Sequence, residues 1–181
     1  MGILLAFAPF LVFAVVERLV GPTAGLVAGA LTSAGLLVRD RVLHGGAPKI
    51  LEAGTLLLFG ALALWALLSG LGLSVIGVRL VVDAGLLAIV LVSMAVGRPF
   101  TLQYAAGRVP PEIRATPRFV RTNYVITGVW AAAFAAMVLA ELAMLSLPGM
   151  PQRLGIAVIV LALVGAVKFT GWYPERVRAA G

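Results

Sequence analysis

The sequence predicts an all-α polytopic membrane protein, a bundle of about six transmembrane helices in three antiparallel hairpins with both termini cytoplasmic. Of its 181 residues, 62% are hydrophobic and 12% are charged. A soluble chain is usually about 45–50% apolar and about 25% charged. The apolar residues form long continuous runs rich in Leu, Ala and Val, whereas strands of a membrane barrel alternate in segments of about 10 residues. These observations favour helices that cross a lipid bilayer.

Each predicted span is a run of roughly 20 mostly apolar residues, the length that crosses a bilayer. The first run lacks a basic start and a small-residue cleavage site, so it is interpreted as a retained helix and not as a signal peptide. Short connections between the runs make consecutive helices antiparallel neighbours. The length fits one integral membrane domain, residues 1–181. The predicted spans are residues 3–20, 23–38, 50–69, 73–96, 124–145 and 154–169.

The lysines and arginines predict the orientation of the chain. With a cytoplasmic N-terminus, 11 of the 14 basic residues lie in or beside inner segments and 3 lie beside outer ones. This asymmetry follows the positive-inside rule. We therefore attribute the net charge of +7 to topology and to anionic lipid headgroups, and not to nucleic acid. The bilayer and its anionic headgroups are the predicted partners.

A polar stretch, residues 98–122, separates the fourth and fifth predicted spans on the cytoplasmic side. Arginines beside aromatic residues suit a membrane surface, and four prolines break the stretch into short pieces. Two interpretations stay open: an ordinary juxtamembrane loop with snorkelling arginines, or a docking surface for a partner protein or a lipid headgroup. Thr122 or Asn123 is predicted to cap the fifth helix. The predicted interaction surface comprises Arg98, Phe100, Gln103, Tyr104, Arg108, Arg114, Arg118 and Arg121.

Charged residues inside the spans form a second candidate site, because ionisable groups in a bilayer are costly and are often functional. Arg79 and Asp83 are four residues apart and are predicted to pair on one helix face. Glu17 and Glu141 would join them where their helices meet. The group is interpreted as a charge-paired clasp, with a transporter or channel, in the form of an ion relay or an outward-facing polar pocket, as the alternative. The predicted cluster is Glu17, Arg18, Arg79, Asp83 and Glu141.

Composition limits the catalytic possibilities. The chain contains no cysteine and one histidine, His44, so disulfides, thiolate nucleophiles and multi-histidine metal clusters are excluded. No phosphate-binding glycine loop and no serine–histidine–acid set is present. No cofactor or metal is expected, and an enzyme is the less favoured interpretation. An intramembrane enzyme acting on a lipid or isoprenoid stays open, with Asp83, Glu17 and Glu141 as candidate acids.

Three short motifs carry a family resemblance: APFLVF at residues 8–13, GRP at 97–99 and RTN at 121–123. Together with the spacing of the spans, they resemble the bacterial intracellular septation protein A family over nearly the whole chain. The outer charges and the glycine and alanine content depart from that family. The resemblance implies a small bacterial inner-membrane protein, linked to envelope maintenance and cell division, that acts through partner proteins.

Overall fold

The computed structural model of the protein describes residues 3–45, 48–70, 74–147 and 149–179. All regular secondary structure in these ranges is α-helical, which confirms the predicted all-α class. The chain divides into two compact units, residues 1–89 and 90–181. The helices are α1 (Ile3–Ala6), α2 (Ala8–Leu19), α3 (Pro22–His44), α4 (Ile50–Ser69), α5 (Val75–Ala95), α6 (Phe100–Ala106), α7 (Pro111–Arg114), α8 (Pro117–Ser146) and α9 (Gln152–Ala179).

Within the described residues, four helices are long and apolar enough to cross a membrane, namely α4, α5, α8 and α9. Large apolar side chains such as Leu57 and Leu161 are 74% and 70% exposed, as lipid-facing residues are and as a water-soluble surface avoids. These helices indicate a membrane protein. The first two predicted spans differ from them. The first is divided at Phe7 into helices of 4 and 12 residues, and α3, although 23 residues long, is rich in small residues and ends in charged ones.

The observed helix boundaries agree with some of the predicted bounds and differ from others. Helix α4 coincides with the span predicted at 50–69. Helix α8 begins at Pro117, not near residue 124, because Thr116 caps it: the Thr116 Oγ1 accepts a hydrogen bond from the Phe119 N–H at 3.3 Å. The predicted cap at Thr122 or Asn123 is therefore wrong, and residues 117–122 form the first turns of α8. The predicted start of the fourth span at residue 73 lies outside the described residues.

Phe59 of α4 is central to the core of residues 1–89. Its side chain is fully buried, and its ring centroid lies 5.1 Å from that of Phe10 and 5.5 Å from that of Phe13. The buried residues of α4 recur every three or four positions, so one helix face turns inward. The other buried members of this core are Leu26, Ala63, Ala66, Val78 and Val82. The core joins α2, α3, α4 and the first part of α5.

Two glycines of α3 allow its backbone to approach its neighbours closely. A Cβ atom added at Gly25 would lie 2.8 Å from the Glu17 Cβ and 3.0 Å from the Phe13 carbonyl oxygen. A Cβ atom added at Gly29 would lie 2.8 Å from the Phe59 ring. Small residues at helix contacts permit such packing in lipid. Close backbone packing of α3 on α2 therefore requires Gly25.

Replacing Gly25 with valine is expected to destabilise the protein by about 1–3 kcal/mol, because the added atoms meet the backbone of α2, which cannot rotate away. Gly35 on the same helix provides the matched control, since nothing lies within 4 Å of its added Cβ. We expect Gly35→Val to be neutral or slightly stabilising. The free energy of unfolding in a detergent titration measures both variants, and equal effects would contradict the close approach at Gly25.

Helix α8 is the central helix of residues 90–181. Half of its most apolar 18-residue stretch is buried, against 11% for α9. Trp130 of α8 is 2% exposed and lies beside Phe100 and Phe134, with ring centroids 6.4 Å and 5.5 Å away. Its indole Nε1–H donates a hydrogen bond to the Thr170 Oγ1 at 2.9 Å. Trp130 thus links α6, α8 and α9.

Candidate functional site

A buried ion pair joins α2 to α5 within residues 1–89. The Arg79 guanidinium places its Nε 2.7 Å and its Nη2 2.6 Å from the same oxygen, Oε2 of Glu17. The Glu17 side chain is 0% exposed and that of Arg79 is 35% exposed. The other carboxylate oxygen, Oε1, is buried and has no hydrogen-bond partner within the described part of the chain. The pair therefore holds a negative charge inside the helix bundle against one partly exposed cation.

The other members of the predicted charge cluster have different environments. Arg18 follows Glu17 but is exposed, so it does not share the burial of that carboxylate. Asp83 is partly buried, and its predicted pairing with Arg79 stays a prediction. Glu141 lies on α8, in residues 90–181, and is 1% exposed. Of the five residues, the structure pairs Glu17 with Arg79.

A second group of charges joins the end of α3 to the beginning of α4. The Lys49 ammonium donates to the Asp40 Oδ2 and to the Glu52 Oε1, each at 2.7 Å. Burial lowers the pKa of Lys49, but the hydrogen bonds and the negative charges of Asp40 and Glu52 outweigh this effect and raise it above its ordinary value. The Lys49 ammonium thus joins the end of α3 to the beginning of α4.

Because the pKa of Lys49 is raised in the folded protein, its stabilisation is complete below its ordinary value of 10.5 and is lost as the pH rises through the folded value. We expect stability to fall above that pH more steeply in the wild type than in Lys49→Gln. The difference is about 1 kcal/mol or less, since the side chain is 26% exposed. Urea or detergent unfolding at pH values on either side of 10.5 measures it. Parallel pH profiles of the two proteins would contradict this role of Lys49.

An open groove of about 670 Å³ lies along α3 and the end of α4. Its lining is apolar apart from Thr23 and runs from Val20 to Leu31, with Leu67 opposite. Glu17 and Asp83 do not line it, so it does not provide the acid-lined cavity that an intramembrane enzyme would need. Within the described residues, no group of three or more histidines and carboxylates is placed to hold a metal ion.

The basic segment, residues 98–122, is anchored to α8 by side chains of α6. The Thr101 Oγ1 lies 2.8 Å from the Asn123 carbonyl oxygen, to which it donates. It also lies 2.8 Å from the Thr127 Oγ1, and the two hydroxyl groups are hydrogen-bonded. The Phe100 N–H donates to the Ser93 Oγ at 3.1 Å, so the beginning of α6 is also tied to α5. These polar groups are all buried. Helix α6 is therefore a fixed part of the segment.

Sequence analysis did not identify this set of buried hydroxyl groups. Thr127 follows Asn123 by four residues, so the two polar side chains lie on one face of α8. This spacing is the feature of the sequence that could have indicated a buried polar contact on α8. Their partner Thr101 comes from another helix, 26 residues before Thr127, and only the folded structure shows it.

The arginines of the predicted interaction surface are exposed, whereas two of its aromatic residues are buried. Phe100 is 0% and Tyr104 is 7% exposed, because α6 packs these rings inward, so neither belongs to a contact surface. Gln103 is partly buried and donates to the Arg98 carbonyl at 2.9 Å. Arg118 donates to the Val177 carbonyl of α9 and has a structural role. The arginines exposed on the segment are Arg98, Arg108, Arg114, Arg118 and Arg121.

No family model, curated protein or solved structure matches this chain. The case for function therefore rests on the residues and their geometry.

Proposed function

We propose that the chain is an inner-membrane protein of six spans, with both termini cytoplasmic, whose role is to hold a partner protein at the membrane. The contact surface is the basic segment, residues 98–122. The resemblance to the septation protein A family extends this role to bacterial envelope maintenance and cell division. The partner surface is acidic, since exposed guanidinium groups bind carboxylates and phosphates best.

One observation carries the proposal: exposed arginines flank α6, whose Phe100, Thr101 and Tyr104 side chains are buried. Phe100, Thr101 and Tyr104 face inward and fix α6, while Arg98 and Arg108 on either side of it are exposed. A surface that is ordered before binding loses less conformational entropy when a partner arrives. An ordinary juxtamembrane loop needs no such anchoring, so the buried anchors favour docking.

The test uses a photo-crosslinking amino acid at Ile113, which is 44% exposed on the basic segment, in membranes of the producing cell. We expect a crosslinked partner whose yield falls on the order of tenfold when Arg98, Arg108 and Arg121 become glutamine. Arg118 is kept because of its structural hydrogen bond. The matched control is Arg153→Gln, at the beginning of α9. An unchanged yield in the triple variant, or no crosslinked partner, would refute docking at this segment.

The buried Glu17–Arg79 pair favours a second candidate function, the transport of a small solute or ion. A charged pair inside a helix bundle is costly and often marks a pathway. Flux into proteoliposomes tests it, with Glu17→Gln and Asp83→Asn as variants. Flux that persists unchanged in Glu17→Gln would remove this carboxylate from the mechanism.

A further inference from the structure

The C-terminal part of α9 carries an aromatic face that ends in arginine. Phe169, Trp172, Tyr173 and Arg176 follow the spacing of one helix face. The rings of Phe169 and Tyr173 are stacked, with centroids 5.0 Å apart and planes 14° from parallel. The Arg176 guanidinium carbon lies 5.5 Å from the centre of the Trp172 ring. Trp172 is 51% exposed, so this face is open to its surroundings.

The packing on α8 holds this end of α9 in place at two points. Trp130 donates to Thr170, one residue after Phe169. Arg118 donates to the Val177 carbonyl in the last turn. The aromatic face therefore lies on a helix that is anchored within the face at Thr170 and directly after it at Val177.

The length of α9 places the arginines beyond the aromatic rings at headgroup depth. Its 28 residues span about 42 Å at 1.5 Å per residue, which exceeds the roughly 30 Å hydrocarbon core. Tryptophan and tyrosine concentrate at the membrane–water interface. With Trp172 at that depth, Arg176 lies about 6 Å further out, where the phosphates of the lipids are.

The charges at this end complement a phosphate-bearing surface. Arg176 and Arg178 are exposed against one exposed carboxylate, Glu175. The contacts described for the two guanidinium groups are the Trp172 ring and the Pro174 carbonyl, which Arg178 Nε approaches to 3.3 Å. Their terminal N–H groups point to no carboxylate in the described part of the chain.

We propose that the end of α9, formed by Phe169, Trp172, Tyr173, Arg176 and Arg178, is a binding site for anionic phospholipid headgroups. The guanidinium groups bind the phosphate, and the aromatic face contacts the upper acyl chain. This site goes beyond the docking role of the basic segment and does not depend on it, because it uses different residues and needs no protein partner.

Tryptophan quenching in nanodiscs tests the site directly. The full chain carries Trp65→Phe, so that Trp172 reports from an exposed position while Trp130 stays buried. Phosphatidylcholine discs receive a minor fraction of brominated phosphatidylglycerol or brominated phosphatidylcholine. We expect stronger quenching by the anionic lipid, and a loss of that quenching in Trp172→Phe.

The decisive variant is Arg176→Gln with Arg178→Gln, and the matched control is Arg153→Gln at the other end of α9. Each basic residue near an anionic surface contributes about fivefold, so the double variant should bind phosphatidylglycerol about 30-fold more weakly. Equal quenching by the two lipids would overturn the proposal, as would a preference that the double variant retains. The assay contains no partner protein, so its failure leaves the docking test unaffected.

Discussion

Replacing Arg79 with methionine is expected to destabilise the protein by about 3 kcal/mol, because the change leaves Glu17 buried without a cation. The expected loss is at the lower end for buried pairs since Arg79 is 35% exposed. Glu17, by contrast, is 0% exposed and cannot turn toward solvent without moving α2. The free energy of unfolding in mixed detergent and sodium dodecyl sulfate measures the change.

A double-mutant cycle separates the pair from other effects of the substitution. In Glu17→Gln the carboxylate becomes a neutral amide of similar shape, and we expect a smaller loss of about 1 kcal/mol. Adding Glu17→Gln to Arg79→Met should restore part of the stability, since no buried charge is left without a partner. Losses that simply add would show that the two side chains do not interact.

Replacing Trp130 with alanine is expected to destabilise the protein by about 3–5 kcal/mol, because a cavity opens where α6, α8 and α9 meet. The ring contacts with Phe100 and Phe134 and the hydrogen bond to Thr170 are lost together. We expect α6 to loosen, which hydrogen exchange at its backbone amides would detect.

Trp65 provides the matched control for this change. It is the same residue type on a candidate membrane helix, but it is 50% exposed where Trp130 is 2% exposed. We expect Trp65→Ala to change stability by about 0.5 kcal/mol or less. Thermal unfolding in one detergent compares the two variants, and similar losses would mean that Trp130 is not a packing centre.

Sequence reasoning succeeded where a local signal dominates. Residues 50–69 form a largely apolar run between Lys49 and Gly70, and α4 has these bounds. Gly70 adopts a left-handed conformation, with φ at +60°, that ends the helix. At the beginning of α8, Thr116 and the proline after it are also local signals of a helix start, but the sequence analysis did not use them. The arginines at 118 and 121 lowered the hydropathy and hid the first turns of the helix.

Contacts between distant residues account for the other differences. The spacing of a single helix predicts that Arg79 pairs with Asp83, and this pairing stays a prediction. The bond from Arg79 to Glu17, which is 62 residues away, is seen only in the folded structure. Phe100 and Tyr104 were predicted to lie at the membrane surface because aromatic residues beside arginines are typical of such segments. Both rings are buried instead, because α6 packs against α8. The periodicity of one helix does not predict which other helix packs against it, or whether an aromatic side chain is buried in that contact.

The separation of Glu17 and Arg79 also sets an order of events during synthesis. Glu17 packs against Gly25, only a few residues later, so this helix contact is available as soon as the first hairpin is made. Arg79 follows 62 residues after Glu17, and at the usual rate of translation this is about 3–12 s. The α2–α3 hairpin is therefore synthesised before Arg79, the counterion of Glu17, and the ion pair between α2 and α5 can form only after α5 has been made.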